Sequence, residues 1–271
     1  DHIDALTFSL PAQPGLYRRV PEVFDCWFES GAMPYAQVHY PFENKQQFEE
    51  SFPASFIAEG VDQTRGWFYT LQVLSECLFG KPAFSHVIVN GLVLAEDGRK
   101  MSKRLQNYTP PAELMEQYGA DALRLYLINS GLVKAEEQKF SDAGVQDMVR
   151  QVLLPWLNGC KFLQTYADID QWRYQAQPAS NNILDQWILS RLQSLIDQVN
   201  QQMQAYRLDE VVPPLFAFLA DLTNWYIRLN RARFWQSGLN ADKQQAYATL
   251  YCCLHTFGRL KTIGSQWAVL Q

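Results

Sequence analysis

A chain of 271 residues, 48% hydrophobic and 19% charged, is long enough to bury a substantial core, and its length fits two units. Thirteen prolines and fourteen glycines are ordinary for a globular protein, which excludes wholesale disorder. The net charge of -5 denies the whole molecule a basic signature for nucleic acid, so any such binding must come from a local patch. The five cysteines, Cys26, Cys77, Cys160, Cys252 and Cys253, form no CxxC pair. That odd, scattered set argues against a disulfide framework and against a zinc or other metal site, and points to a reduced, cytoplasmic protein. No signal peptide is visible, and no apolar run approaches the roughly 18 residues of a membrane span. The longest candidate, residues 211–227, is broken by Pro213, Pro214, Asp221 and Asn224. The chain begins at Asp1, which fits processing or a piece of something larger.

In chain order, residues 1–50 read as irregular, with Pro11, Pro14, Pro21, Pro34 and Pro41 punctuating short aromatic stretches. Residues 55–59 form a short apolar run ending in a carboxylate, as a buried strand would. Residues 62–79 then place apolar side chains at 67, 68, 71, 74 and 78 with helical spacing, and Asp62 suits the N-terminal end. Gly80 closes that helix, and residues 86–89 predict a second strand. Strand, helix and strand within about 35 residues make a βαβ unit with a parallel sheet. Past Thr109 strands fade. Pro110 and Pro111 open a helix through Tyr118, Gly119 leads into another, and helical patterns cover 141–167, 181–206, 208–236 and 242–260. The expected domain boundary falls around 133–141. The last stretch, 261–271, lacks a clear period.

The run Lys100, Met101, Ser102, Lys103, Arg104 follows the second strand and a turn at Asp97-Gly98. Two lysines three apart, with a hydroxyl between them, can gather the oxygens of a polyphosphate and neutralise the charge that develops as pyrophosphate leaves. A solvated basic turn would carry the same residues. Placement at the carboxyl edge of the sheet, with Gly91 allowing close approach of the backbone to a ligand, favours a nucleotide site. Glu59 and Gly60 sit at the end of the first strand, and Asp62 and Gln63 follow. Their oxygens suit ribose hydroxyls or a cationic amine, while Trp67 and Phe68 offer a flat apolar wall. A capped helix with a core tryptophan is the alternative. Asp25 and Glu29 flank Trp27 and Phe28 and are read as organising a loop rather than as an acid–base pair. In the helical half Arg228 and Arg231 share a face, with Arg233 well away, among Trp225, Tyr226, Phe234 and Trp235. Such a segment suits a phosphate backbone and splayed bases, or equally an amphipathic helix with snorkelling arginines.

Taken together, VFDCWFESG, EGVDQTRGWF, GRKMSKR, GADALRLYL and LTNWYIRLNRARFW, in this order, resemble class I aminoacyl-tRNA synthetases, and among them the isoleucyl-tRNA synthetases. The DQTRGWF segment carries the isoleucine assignment. The resemblance implies an α/β plus all-α fold. Residues 1–137 would be the second half of a Rossmann-like nucleotide-binding domain, and 138–271 an α-helical anticodon-binding bundle, truncated at its C-terminus. It implies that Glu59, Gly60, Asp62, Gln63, Gly91, Lys100, Met101, Ser102 and Lys103 bind ATP or the adenylate. Lys100 and Lys103 would be catalytic, Trp67 would line the amino-acid pocket, and Trp225, Arg228, Arg231 and Arg233 would face tRNA. ATP with Mg²⁺ as a substrate complex, isoleucine and tRNA(Ile) would be the partners, with no zinc in this chain and no membrane.

The family's His-x-Gly-His signature is absent, since His2, His39, His86 and His255 stand apart, and so is its inserted editing domain. The expectation is therefore a fragment of an isoleucine–tRNA ligase, not competent by itself. The alternatives are a non-catalytic tRNA-binding module, or a piece that complements a separate N-terminal half.

Overall fold

The computed structural model of the chain describes residues 3–175 and 178–266. These form two compact units, residues 3–57 with 62–87, and residues 58–61 with 88–175 and 178–266.

The first unit begins with an antiparallel hairpin, β1 (Thr7–Leu10) and β2 (Gln13–Arg18), with Thr7 opposite Arg18 and a bulge between Phe8 and Leu10. The Phe8 and Tyr17 rings stack across it at 5.6 Å. Three short helices follow, α1 (Cys26–Gly31), α2 (Met33–Ala36) and α3 (Lys45–Ser51). Residues 1–50 are thus more regular than their prolines predict. Nearly every hairpin residue is exposed, so the strands never show the apolar alternation that reveals a half-buried strand. Asp25 is the N-cap of α1, its carboxylate accepting from the N–H groups of Trp27 (2.7 Å) and Phe28 (3.0 Å). That is the structural role read for it. The core is aromatic. Phe48 stacks on Phe52 at 4.8 Å and meets Tyr40 at 4.4 Å, and Phe79 closes on Phe48 at 5.2 Å.

Phe79 ends α4 (Trp67–Phe79), which Gly80 terminates at φ 62, a left-handed C-cap suited to glycine. The helix starts later than Asp62 predicts. Asp62 instead belongs to a 3-10 turn, Val61–Arg65, and Gly66 interrupts the backbone at φ -149, ψ -116 before α4 begins. Gly31 of α1 lies against α4 so closely that a methyl group there would sit 2.9 Å from the Thr70 Cβ.

Strand β3 (Ile57–Gly60) pairs with β4 (Val87–Asn90), and the segments entering them form a parallel bridge between Ala54 and Phe84. Both strands are where the sequence puts them. A further parallel pair joins β5 (Val93–Leu94) to β6 (Gln138–Lys139), so strands do not end at Thr109. Two residues per strand are too few to carry a period. Between them lie α5 (Pro111–Tyr118) and α6 (Ala120–Ile128).

The remainder of the second unit is helical: α7 (Asp142–Met148), α8 (Leu154–Ile169), α9 (Ile183–Gln204), α10 (Val212–Ala220), α11 (Arg228–Trp235) and α12 (Ala241–Gln266). A π turn, Val149–Leu153, joins α7 to α8 just before Pro155. Proline lacks the N–H that a continuous α-helix needs there, and its ring crowds the carbonyl four residues back, so the wider turn accommodates it. A second π turn, Asp221–Ile227, joins α10 to α11. Ile188, Leu192, Leu195 and Val199 are buried at helical spacing along α9, which packs on α10 and α12, where Leu215, Phe218 and Leu219 and Tyr247, Leu250, Leu254 and Phe257 are buried in turn. Each such side chain contributes about 1.5–3 kcal/mol of burial. The Asn182 side chain caps α9 by accepting from Leu184 N–H at 2.9 Å. Helix α12 runs to Gln266, and residues 267–271 of the aperiodic final stretch lie outside the described residues.

Candidate functional site

The second unit brings several sequence-predicted site residues to the ends of its strands. Glu59 and Gly60 are the last residues of β3, and Gly91 follows β4 directly. Gly91 has a structural reason to be glycine. Its N–H donates to Leu132 C=O at 2.8 Å, and a methyl group there would lie 1.8 Å from the Glu136 carbonyl oxygen. The close approach at Gly91 is thus to the backbone of Glu136.

The lysine loop grows out of β5. Ala95 N–H donates to Arg99 C=O and Gly98 N–H to Ala95 C=O, both at 2.8 Å, with Gly98 at φ 82. This is the tight turn expected at Asp97-Gly98. The Asp97 carboxylate accepts from Arg99 N–H at 2.9 Å and Nε at 2.7 Å, bonds that hold it below the usual carboxylate range. Lys100 forms an antiparallel bridge with Leu94, and Ser102 C=O accepts from the N–H groups of Leu105 and Gln106. Lys100, Lys103 and Arg104 are exposed, while Met101 and Ser102 are half-buried. Among the described residues no carboxylate lies within ion-pair distance of Lys100, Lys103 or Arg104. The loop therefore presents three cations with no anion of its own, as a ligand for phosphate oxygens needs.

Asp62, Gln63 and Trp67 belong to the first unit. Gln63 Oε1 accepts from Trp67 N–H at 2.9 Å, which caps α4 and uses up one of its lone pairs. The Trp67 indole N–H donates to Ser30 C=O at 3.0 Å, which fixes the ring. Trp27 of α1 lies against Gly66, its ring 3.4 Å from where a Cβ would stand. Trp27 is 43% exposed. Its sequence neighbourhood suggests only loop packing, and its juxtaposition with the entry to α4 is visible only in the tertiary structure.

In the helical region the four candidates part company. Arg228 and Arg231 are exposed and Trp225 is 59% exposed. Arg233 is largely buried. Its fork donates to both oxygens of Asp185 at 2.7 and 2.9 Å, to Asp242 through Nε at 2.9 Å and Nη2 at 2.7 Å, and to Asn230 Oδ1 at 2.9 Å. Tyr226 O–H, itself buried, also donates to Asp185 at 2.7 Å. Burial alone would raise the Asp185 carboxyl, but its bonds from Arg233, Ser180 and Tyr226 outweigh burial and hold it below the usual range. The guanidinium of Arg233 is thereby committed within the bundle, and Arg228, Arg231 and Trp225 are the exposed members of the set. Arg231 also borders a cavity of about 690 Å³ with Gln151, Asn158 and Asn224. A larger groove of about 830 Å³, between α8 and α12, is lined by Trp156, Trp172, Tyr174, Tyr251 and Arg259 and contains none of the sequence-predicted site residues.

The family described as tRNA synthetases class I (I, L, M and V) matches residues 2–139, and that described as the anticodon-binding domain of tRNA ligase matches residues 185–262. The chain belongs to the class I tRNA synthetases. It is similar to the isoleucine–tRNA ligase of Chlamydia abortus, 55% identical over 90% of this chain and 24% of that protein. A second relative is the isoleucine–tRNA ligase of Bdellovibrio bacteriovorus, 54% identical over 96% of this chain and 25% of that protein. The chain thus spans about a quarter of the length of these relatives. Among solved structures it shares its fold with a LeuRS of Agrobacterium radiobacter K84 in a ternary complex with tRNA and LeuAMS, at TM-score 0.70 and 18% identity over 97% of this chain and 33% of that one. It likewise shares its fold with a methionyl-adenylate complex of Mycobacterium tuberculosis methionyl-tRNA synthetase, at TM-score 0.70 and 18% identity over 89% of this chain and 47% of that one. The fold is the expected one, α/β followed by all-α.

Proposed function

We propose that this chain is part of an isoleucine–tRNA ligase, acting in ATP-dependent formation of isoleucyl-adenylate and transfer of the aminoacyl group to tRNA(Ile). The observation that carries this reading is the lysine loop, three exposed cations with no carboxylate partner among the described residues, in a chain about 55% identical to isoleucine–tRNA ligases. Residues 1–137 serve as part of the catalytic domain and 138–271 as the anticodon-binding bundle, a division supported by the matches over 2–139 and 185–262. In activation, the isoleucine carboxylate attacks the α-phosphate of Mg²⁺-bound ATP in line, the bond to the β-phosphate breaks, and pyrophosphate leaves. Lys100 and Lys103 neutralise the charge that grows on it, with Ser102 and Met101 shaping the loop between them. Glu59, Gly60, Asp62 and Gln63 hold the adenylate, Gly91 lies near the adenosine, and Trp67, joined by Trp27, forms the wall against the isoleucine side chain. Arg228, Arg231 and Trp225 face the tRNA, and Arg233 supports them through its clamp on Asp185. The site of action is the cytoplasm. Among the described residues no helix is long and apolar enough to cross a membrane.

The test is isoleucine-dependent ATP–pyrophosphate exchange. The 271-residue chain alone shows negligible exchange, because it holds only part of the site that must grip both ends of the triphosphate. The same residues substituted for their counterpart in the Chlamydia abortus enzyme support exchange with isoleucine over valine, and Lys103→Ala lowers it by about 10²–10³. Robust exchange by the chain alone overturns the claim that the rest of the site is essential, and indifference to Lys103→Ala overturns the part given to the lysine loop. A second reading, a tRNA-binding module without catalysis, is favoured by the exposed Arg228, Arg231 and Trp225, and predicts salt-sensitive tRNA binding by the chain alone.

A further inference from the structure

Asn107 lies just past the lysine run, half-buried, and its side-chain amide reaches back into the loop at two points. Its Oδ1 accepts from Ser102 N–H at 3.0 Å, and its Nδ2 donates to Lys100 C=O at 3.2 Å. One side chain therefore satisfies an acceptor before Met101 and a donor after it, fixing the backbone on both sides of Met101, between Lys100 and Lys103. The rest of the loop closes on the same point, since Ser102 C=O accepts from Leu105 and Gln106 N–H at 3.1 and 3.0 Å, with Gln106 at φ 47. Beyond Asn107 the chain is tied to α7 through Thr109 Oγ1, which donates to Asp142 at 2.6 Å. Residues 103–106 are exposed, so among the described residues Asn107 is the first half-buried side chain after the lysine run.

From this geometry we infer that Asn107 is a positioning residue: its amide clamps the backbone of Lys100 and Ser102 and so sets the spacing and direction in which Lys100 and Lys103 meet the triphosphate. The inference rests on the function proposed above. Without the clamp the loop must be ordered each time it meets its ligand, and the entropy of ordering it opposes the transition state rather than having been overcome in folding. The substrate-binding groups that do not belong to the loop are untouched, so the effect falls on turnover and not on isoleucine affinity. Asp at this position retains the acceptor for Ser102 N–H, loses the donor to Lys100 C=O, and adds a carboxylate that competes for the lysines.

Two measurements decide it. In the 271-residue chain, amide exchange at Ser102 and tryptic cleavage after Lys100, Lys103 and Arg104 both rise about tenfold in Asn107→Ala, while Ser102 exchange stays near wild type in Asn107→Asp. Unchanged thermal unfolding of both variants shows that the fold is intact. In the Chlamydia abortus enzyme carrying these residues, Asn107→Ala lowers kcat for ATP–pyrophosphate exchange about tenfold with KM for isoleucine unchanged. Ser102 exchange and loop cleavage within about twofold of wild type in Asn107→Ala overturn the clamp. Faster exchange at Ser102 with unaltered kcat overturns the positioning role. If the hybrid with Asn107 intact shows no exchange at all, the proposed function fails, and the loop measurements on the chain still judge the clamp.

Discussion

Removing the Arg233 guanidinium while keeping its apolar stem, as in Arg233→Met, leaves Asp185 fully buried with hydrogen bonds from Tyr226 and Ser180 but no cation. Two bonds of 2.7 and 2.9 Å to that carboxylate disappear, and deleting one partner of a buried ion pair costs about 3–5 kcal/mol. The bonds to Asp242 add little, because Asp242 is more than half exposed and the solvent screens it. At about 2–4 °C per kcal/mol for a unit of this size, the midpoint of thermal unfolding falls by roughly 6–20 °C at pH 7. Far-UV ellipticity reads this directly, since the helices concerned dominate the signal. The pH dependence has a definite sign. In the wild type the Asp185 carboxyl is held below its usual value, so the pair stabilises the fold above about pH 4 and that contribution fades as pH falls through the depressed value. In Arg233→Met, burial without a cation pushes the carboxyl up, so it takes a proton as pH falls and the gap to wild type narrows from about pH 7 toward pH 4. Arg231→Met, at an exposed site, changes stability by less than about 0.5 kcal/mol. A loss below about 1 kcal/mol for Arg233→Met, or a gap independent of pH, would refute the assignment of Arg233 to the interior.

Gly91→Ala is expected to cost several kcal/mol, or to abolish accumulation of folded chain, because the added methyl meets the Glu136 backbone and neither segment has a flexible end to move. A urea midpoint equal to wild type would contradict this. Trp67→Phe removes the indole bond to Ser30 and lowers stability by about 0.5–1.5 kcal/mol, measured by the same titration. Arg228→Ala with Arg231→Ala lowers tRNA affinity and flattens the plot of log affinity against log salt by about 0.7–0.9 for each phosphate no longer neutralised. A parallel line for the double variant would remove these arginines from the interface.

Helices were legible in the sequence wherever their ends carry a capping signal and one face carries the apolar period. The helical pattern over 181–206 marks α9 closely, and Gly80 marks the end of α4. The start of α4 was displaced because Asp62 lies in a 3-10 turn, and no local rule distinguishes that turn from the first turn of an α-helix. The β1–β2 hairpin was invisible because neither of its faces is buried.

The chemistry available is written in the order of residues: the lysine run after a strand and a turn, the DQTRGWF segment, and the arginines of the 228–233 stretch. The same order places Arg233 away from the face shared by Arg228 and Arg231, since helical periodicity is local. Where those groups go depends on packing between distant segments. Asp185, 48 residues from Arg233, takes its guanidinium into the bundle, and Glu136 occupies the space that the absent side chain of Gly91 leaves. Periodicity and capping depend on neighbours a few residues away and are written in the order of the chain. The partner of a buried charge, or the backbone that fills the space beside a glycine, comes from a distant segment, and only the packing of the whole unit specifies which one.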